Sequence, residues 1–176
     1  MRLSTDPPLH LTYFSNTINV FTGTEIQRLH TYYSIYSYNY LEYDPTRKVY
    51  LRYSEAADAQ NGQAKYGPHI DILNNQQLAA DNVVVLAVEH NFRNDYDRAD
   101  QVFDIELTGS GAAYVFREGR MYPAQWTRSK RDQPIQLLDA EGKLLSLKAG
   151  VTFYQVIDPE STITQDGSNM YFNFFI

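Results

Sequence analysis

The stretch TGSGAAYVFREGRMYPAQW, residues 108–126, decides how the fold is read, because it holds a Gly-Ser-Gly, a Glu-Gly and the only tryptophan. Strand-like patterns lie on both sides of Glu118-Gly119, where glycine supplies the positive φ that a tight turn needs. A catalytic serine elbow has the pattern Gly-x-Ser-x-Gly between a strand and a helix. Here the glycines flank Ser110 directly and a strand pattern follows. The stretch therefore predicts a β-hairpin with Ser110 in a structural turn, from which its hydroxyl can still line a site.

The rest of the chain also favours β-structure. A period of two begins at residue 28 and is interrupted by Asp44-Pro45, so residues 28–53 are predicted to form a hairpin. The apolar run at 82–90 predicts a central strand covered on both faces. A meander is predicted from 103 to 157. Because connections are short and no amphipathic helix exceeds two or three turns, we predict an α+β, β-rich fold with a mainly antiparallel sheet and few short helices.

Composition limits the domain count and the classes of partner. The chain of 176 residues suits one domain, for which we predict an irregular lead-in at 1–27 and a single β-rich domain at 28–176. The chain has no cysteine, which excludes disulfides, thiolate metal sites and a cysteine nucleophile. A net charge of −6 predicts no binding to nucleic acid and none to anionic lipid surfaces. The longest apolar run, 83–88, is too short to span a membrane, and the N-terminus lacks the apolar core of a signal peptide.

An ordered set of short motifs resembles one known family. These motifs are EYDPTRKVYLR, the His-x-Asp at 69–71, DNVVVLAVEH, TGSGAAYVFREGRMYPAQWTRS and LLDAEGKLLSLKAGVTFYQV. Together they resemble the C-terminal domain of the YerB-like bacterial envelope proteins, a domain of unknown function, over roughly residues 28–157. Phe153 stands where that family often has tryptophan.

The resemblance implies a location but no activity. Members of the family usually carry a lipoprotein signal and a preceding domain. The chain is therefore expected to be the second half of a larger protein that is extracytoplasmic and membrane-anchored through a part outside this chain. The family has no established reaction or cofactor to transfer to it.

The first candidate binding site combines an aromatic ring with a cation. Trp126 and Arg128 share parity on one predicted strand beside the Gly-Ser-Gly, and such a pair can stack on a ring or bind a carboxylate. Ser110, His69 and Asp71 are predicted to add polar contacts. The alternative for Trp126 is a place in the core with Arg128 packed along the sheet.

The second candidate is a row of tyrosines. Tyr36, Tyr38 and Tyr40 lie two residues apart, about 6.7 Å along one strand face, which is a platform for a sugar ring or a peptide. Alternatively, the rings cover the core and leave their hydroxyls in water.

No catalytic set or metal site is predicted. A Ser-His-Asp combination can be drawn from Ser110, His90 and Asp71, but a chain with four histidines and many aspartates offers such combinations by chance. Asp95, Asp97 and Asp100 resemble a calcium loop, yet Asp100 occupies the place where that loop needs glycine. We therefore expect no catalytic residue, metal or cofactor.

These features favour a non-catalytic binding or scaffolding module of a bacterial cell-envelope lipoprotein, its partner an unidentified envelope protein or cell-wall component. The alternative is an envelope hydrolase with a polar site near the Gly-Ser-Gly. An enzyme requires a pocket in which Ser110 or a histidine meets a base or acid within hydrogen-bond reach.

Overall fold

The structure, a computed structural model, describes residues 14–15, 23–59, 63–93 and 102–174. Every regular element in these ranges is a strand. In chain order they are β1 (Thr24–Glu25), β2 (Arg28–Ser34), β3 (Ser37–Asp44), β4 (Val49–Ala57), β5 (Lys65–Pro68), β6 (Ile70–Asp71), β7 (Gln76–Gln77), β8 (Ala79–Ala80), β9 (Asn82–Ala87), β10 (His90–Phe92), β11 (Phe103–Ile105), β12 (Gly109–Arg117), β13 (Arg120–Arg128), β14 (Gln136–Leu138), β15 (Thr152–Ile157), β16 (Thr162–Asp166) and β17 (Asn169–Asn173).

A six-stranded sheet is built around the hairpin β12–β13. The two strands are joined by Glu118 and Gly119, with φ of 52° and 74°, the pair of positive angles that a two-residue hairpin turn requires. The strand order is β1-β13-β12-β9-β15, and β14 pairs with β13. Strand β9 is buried along its whole length. The predicted hairpin and central strand are therefore both present.

A seven-stranded sheet of order β16-β17-β2-β3-β4-β5, with β8 beside β4, packs against the first. Two hairpins form its middle, β2–β3 and β3–β4, because the chain turns at Ile35-Tyr36 as well as at Asp44-Pro45. The first of these turns was not predicted. It has no glycine or proline, and the Ser34 hydroxyl accepts the Tyr36 N–H at 3.2 Å to hold it.

Two apolar layers hold the sheets. The main core lies between the two sheets. The larger sheet contributes Leu29, Leu41 and Phe172 to it, and the smaller sheet contributes Val83 and Phe116. A second core covers the other face of the six-stranded sheet, where residues from 135–147 pack on β9, β12 and β13. The six-stranded sheet is thus the middle layer.

A cluster of buried polar side chains joins β15 of the smaller sheet to β2 and β3 of the larger one. The Gln155 side chain of β15 accepts a hydrogen bond from Thr31 Oγ1 and donates one to Asn39 Oδ1 at 2.7 Å. Both the oxygen and the nitrogen of its amide therefore have a partner. Buried polar groups must be paired in this way to avoid a desolvation cost. The bonds fix the position of β15 over β2 and β3.

The predicted α+β class is wrong in one respect, because the described residues contain no helix. Where the chain enters the two sheets it is extended: Thr24–Glu25 form β1, which pairs with β13, and β2 starts at Arg28. These pairings and the complete burial of Ile26 favour extended chain over a short, unpaired helical turn. The protein is β-rich and mainly antiparallel, with parallel pairing at β9–β15 and β2–β17. The meander predicted from 103 to 157 is wrong at its ends: β12, β13 and β14 follow one another in the sheet, but β11 pairs with β10 and β15 pairs with β9. No helix capable of crossing a membrane occurs in the described part of the chain.

The expected lead-in at 1–27 lies mostly outside the described residues. Within it, Thr24–Glu25 belongs to the six-stranded sheet as β1. The domain prediction for residues 28–176 stays a prediction.

Candidate binding groove

A groove opens where β9 and β15 end. These strands run parallel and in register from Asn82↔Thr152 to Ala87↔Ile157, so the residues that follow each strand meet at one edge of the sheet. Two adjoining cavities of about 490 and 310 Å³ lie there and share Glu89, Asp158 and Pro159. We call the two cavities together the groove. Their sizes are in the range of ordinary ligand sites.

Aromatic rings form one wall of the larger cavity. Phe92 and Phe103 meet edge to face at 5.6 Å between ring centroids, and His90 lies edge-on to Phe174 at 4.9 Å. All four residues line the cavity. This wall is built from β10, β11 and the residue that follows β17, and it adds apolar surface to a cavity whose polar residues follow β15.

The hydrogen bonds of His90 fix its tautomer. Its Nδ1 is 2.7 Å from the Val88 carbonyl oxygen, which can only accept, so Nδ1 carries a proton and donates it. The Asp158 carboxylate lies 3.8 Å from the same nitrogen, and 7% of the His90 side chain is exposed.

Four carboxylates make the groove acidic. They belong to Glu89, Glu106, Asp158 and Glu160, and no lysine or arginine is among the described residues that line either cavity. Two of them are oriented by local bonds: Glu106 accepts from Thr108 N and Asp158 accepts from Glu160 N, at 2.9 and 2.8 Å. Fixed like charges in a concave site favour a positive ligand.

Two of the predicted site residues reach the smaller cavity. Trp126 is 2% exposed, and its Nε1 donates to the Ala87 carbonyl at 2.7 Å, so its ring belongs to the core and contributes to the cavity from within. Ser110 is exposed and lines the same cavity. Gly111, which is paired with Trp126, leaves the space in which the indole lies.

The other three predicted residues lie elsewhere. Arg128 is at the end of β13, where its guanidinium donates to the carbonyls of Gln133 and Arg131. His69 lies beside the seven-stranded sheet. Its backbone N–H donates to the Arg52 carbonyl, and its ring Nδ1 is hydrogen-bonded with the Arg52 guanidinium. Asp71 caps a turn by accepting from Leu73 N at 2.9 Å. The structure thus joins Ser110 and Trp126 in one cavity and does not add Arg128, His69 or Asp71 to it.

The predicted tyrosine row is divided by the turn at Ile35-Tyr36. Tyr36 lies in that turn and is 64% exposed, whereas Tyr38 is fully buried, with its hydroxyl near Ala57 O and Lys65 O. Tyr40 remains half-buried on the outer face. The three residues therefore do not form one exposed face.

Tyr40 instead belongs to an aromatic ladder that runs across four strands, namely Tyr171, His30, Tyr40 and Tyr53. Rings of Tyr171 and His30 stack at 4.7 Å, and those of Tyr40 and Tyr53 at 4.5 Å, each within 13° of parallel. In each stacked pair, a face of one ring is covered by the ring on the neighbouring strand. The ladder stabilises the sheet as cross-strand pairs do.

The ladder gives a pH-dependent prediction. Burial, and next the nearby Arg28, lower the pKa of His30 to about 4. A histidine with a lowered pKa binds protons more readily in the unfolded chain, so its contribution to stability is complete above about pH 6.5 and is lost as the pH falls toward 4. After allowance for solvent screening we expect about 1 kcal/mol.

The measurement is an NMR titration of the His30 ring together with urea unfolding at pH 7 and 4.5. His30→Phe keeps the stacking and removes the proton, so the difference in stability between the two proteins should change over this interval. A ring that titrates near 6.5 would contradict the prediction.

The described contacts do not assemble the Ser-His-Asp combination. Ser110 lines the smaller cavity, His90 the larger one, and Asp71 caps its distant turn. No group of histidine and carboxylate side chains that could hold a metal ion occurs among the described residues. The acidic loop at Asp95, Asp97 and Asp100 lies outside them.

Sequence reasoning missed most of the groove. Asp158, Glu160 and Phe174 follow or end strands whose parallel partners are far away in the chain. The usable signal was the pair VVVLAVEH and TFYQVIDPE, two apolar strands each followed by acidic residues.

Comparison with known proteins supports the family reading. The family described as protein of unknown function (DUF3048), C-terminal domain, matches residues 29–154. No curated protein matches the sequence. Among solved structures, the crystal structure of YerB from Bacillus subtilis is similar in fold, with a TM-score of 0.56 and 19% identity. The similarity covers 76% of this chain and 40% of the YerB chain. The resemblance to the YerB-like C-terminal domain is thus confirmed, and the chain belongs to the DUF3048 C-terminal domain family.

Proposed function

We propose that this domain is a non-catalytic binding module whose ligand occupies the groove at the ends of β9 and β15. The observation that carries the proposal is the convergence there of a cavity, an aromatic wall and four carboxylates. Concave sites with apolar walls and a few directed polar groups are the usual form of ligand sites.

The geometry favours binding over hydrolysis. The described hydrogen bonds include none between Ser110 and His90, and the Nδ1 proton of His90 is engaged by a backbone carbonyl. A nucleophile needs a base within reach to be activated. A polar groove without that contact can still hold a ligand.

We also propose that the module serves in the bacterial cell envelope, as part of a longer protein anchored outside this chain. The support is family membership together with a matched region that spans 40% of YerB. The ligand would then be an envelope protein or a cell-wall component.

The test is a ¹H–¹⁵N shift map with a library of neutral, cationic and anionic fragments. We expect perturbed amides to cluster at residues 88–92, 103–108 and 157–160. Clustering on the aromatic ladder, or no binding at all, would overturn the groove assignment.

A fluorophosphonate probe tests the hydrolase alternative. We expect no covalent labelling, with Ser110→Ala as the reference for background reaction. Labelling that depends on Ser110 would establish an activated serine and contradict the non-catalytic assignment.

A further inference from the structure

We infer that the groove selects a cationic group carried on an apolar chain, the chemistry of a lysine or arginine side chain. This inference rests on the proposed function and narrows its ligand class. It follows from three properties of the larger cavity: the hydrogen-bond acceptors it offers, its charge and its aromatic wall.

The larger cavity offers acceptors. Among the described residues that line it, the ionisable side chains are those of Glu89, Asp158, Glu160 and His90, and a carboxylate can only accept. The His90 Nδ1 proton is committed to Val88 O and is not available to a ligand. A ligand that complements this set must supply donors. An ammonium group has three and a guanidinium five.

The charge of the cavity points to the same class. Three carboxylates face the larger cavity, and none of its described lining residues is lysine or arginine. Anionic ligands would be repelled, and neutral ones would leave the charges without partners. A net charge of −6 for the chain adds a long-range attraction for cations.

The aromatic wall accounts for the apolar part of the ligand. Phe92, Phe103 and Phe174 provide ring surface beside the carboxylates. Methylene groups of a lysine or arginine stem pack on such rings while the charged head reaches the polar side. A cation near a ring face gains further attraction.

Two blocked tripeptides test the inference, Ac-Gly-Lys-Gly-NH₂ and its Nε-acetyl-lysine counterpart, each titrated into the domain and followed by ¹H–¹⁵N shifts. The two differ by one charge and its donors. We expect the lysine peptide to perturb residues 88–92 and 157–160 and to bind at least tenfold more tightly than the acetylated one. Raising the salt concentration should weaken the lysine peptide selectively.

A double variant, Glu89→Gln with Asp158→Asn, removes two of the charges. Asparagine keeps the Oδ1 that accepts from Glu160 N, so the local turn is preserved. The matched control, Glu55→Gln with Asp166→Asn, removes the same net charge at exposed positions outside the groove. We expect at least a tenfold loss for the first pair and less than a twofold change for the second, with unfolding curves showing that both variants are folded.

The possible results distinguish the preference for a cation from the proposed binding function of the groove. Equal binding of both peptides in the groove would overturn the cation inference while leaving the groove as a binding site. Binding of the lysine peptide elsewhere, or an equal loss in both double variants, would also overturn it. Silence of the groove toward these peptides and toward all fragments would overturn the proposed function itself.

Discussion

Gly111→Ala is expected to destabilise the protein by about 3 kcal/mol, because a side chain there would combine steric overlap with the loss of a buried hydrogen bond. A Cβ atom at this position would lie 2.6 Å from both Ala87 O and Trp126 Nε1. These two atoms are the acceptor and donor of the bond that holds the indole, at 2.7 Å. The Ala87 oxygen belongs to the backbone of the central strand, so it cannot move without disturbing the sheet, and a shift of the indole would break its hydrogen bond.

Urea unfolding followed by fluorescence measures this effect, and Trp126, the only tryptophan, reports on the affected site. Gly67→Ala is the matched control. Its Cβ would meet only Ala56 Cβ, at an ordinary 3.7 Å, so we expect a change within about 0.5 kcal/mol. Equal stability of the two variants would show that the space beside Gly111 is not required by the indole.

The same position shows what the sequence could reveal about the Gly-Ser-Gly. Its pattern correctly argued against a strand-to-helix elbow, but the predicted structural turn at Ser110 is wrong, because Ser110 lies in β12 and pairs with Thr127 of β13. The need for glycine at 111 comes from a tryptophan fifteen residues later and a carbonyl on a third strand. A local sequence pattern can predict a turn, but it cannot predict contacts between residues that are distant in the chain.

Hairpins could be predicted because their signals are local. Glu118-Gly119 and Asp44-Pro45 each identify a turn between strands of matching period. The turn at Ile35-Tyr36 was missed because Ser34 stabilises it without glycine or proline. As a result, Tyr36 was assigned to a strand face on which only Tyr38 and Tyr40 lie.

The groove was not predicted because it depends on parallel pairing. Asp158 approaches His90 only because β15 crosses to lie beside β9, some seventy residues earlier in the chain. Parallel strands need long connections, and the residues of the strands do not show which strand such a connection reaches. The predicted cluster around Trp126 relied instead on sequence proximity, and burial of the indole removed its ring from the surface.

Asn82→Ala is expected to cost about 3 kcal/mol, because it removes three hydrogen bonds of a buried side chain, two of them to the backbone of the partly buried Lys148. The Asn82 amide donates to Lys148 O and accepts from Lys148 N, both at 2.8 Å, and also donates to Thr152 Oγ1 at 3.1 Å. The side chain is fully buried. It thereby joins the segment that covers the second core to the first residue of β9.

Urea unfolding and amide exchange at Lys148 measure this loss, and the exchange should accelerate in the variant even under native conditions. Asn74→Ala provides the matched control, since that exposed asparagine accepts one bond, from Gln76 N at 2.9 Å, and its loss should cost less than about 1 kcal/mol. If the urea midpoint of Asn82→Ala equalled that of the wild type, the segment that covers the second core would be held by its apolar contacts alone. A selective rise in exchange at Lys148, with the hairpin β12–β13 still protected, would show instead that Asn82 fastens the outer layer to a sheet that is stable without it.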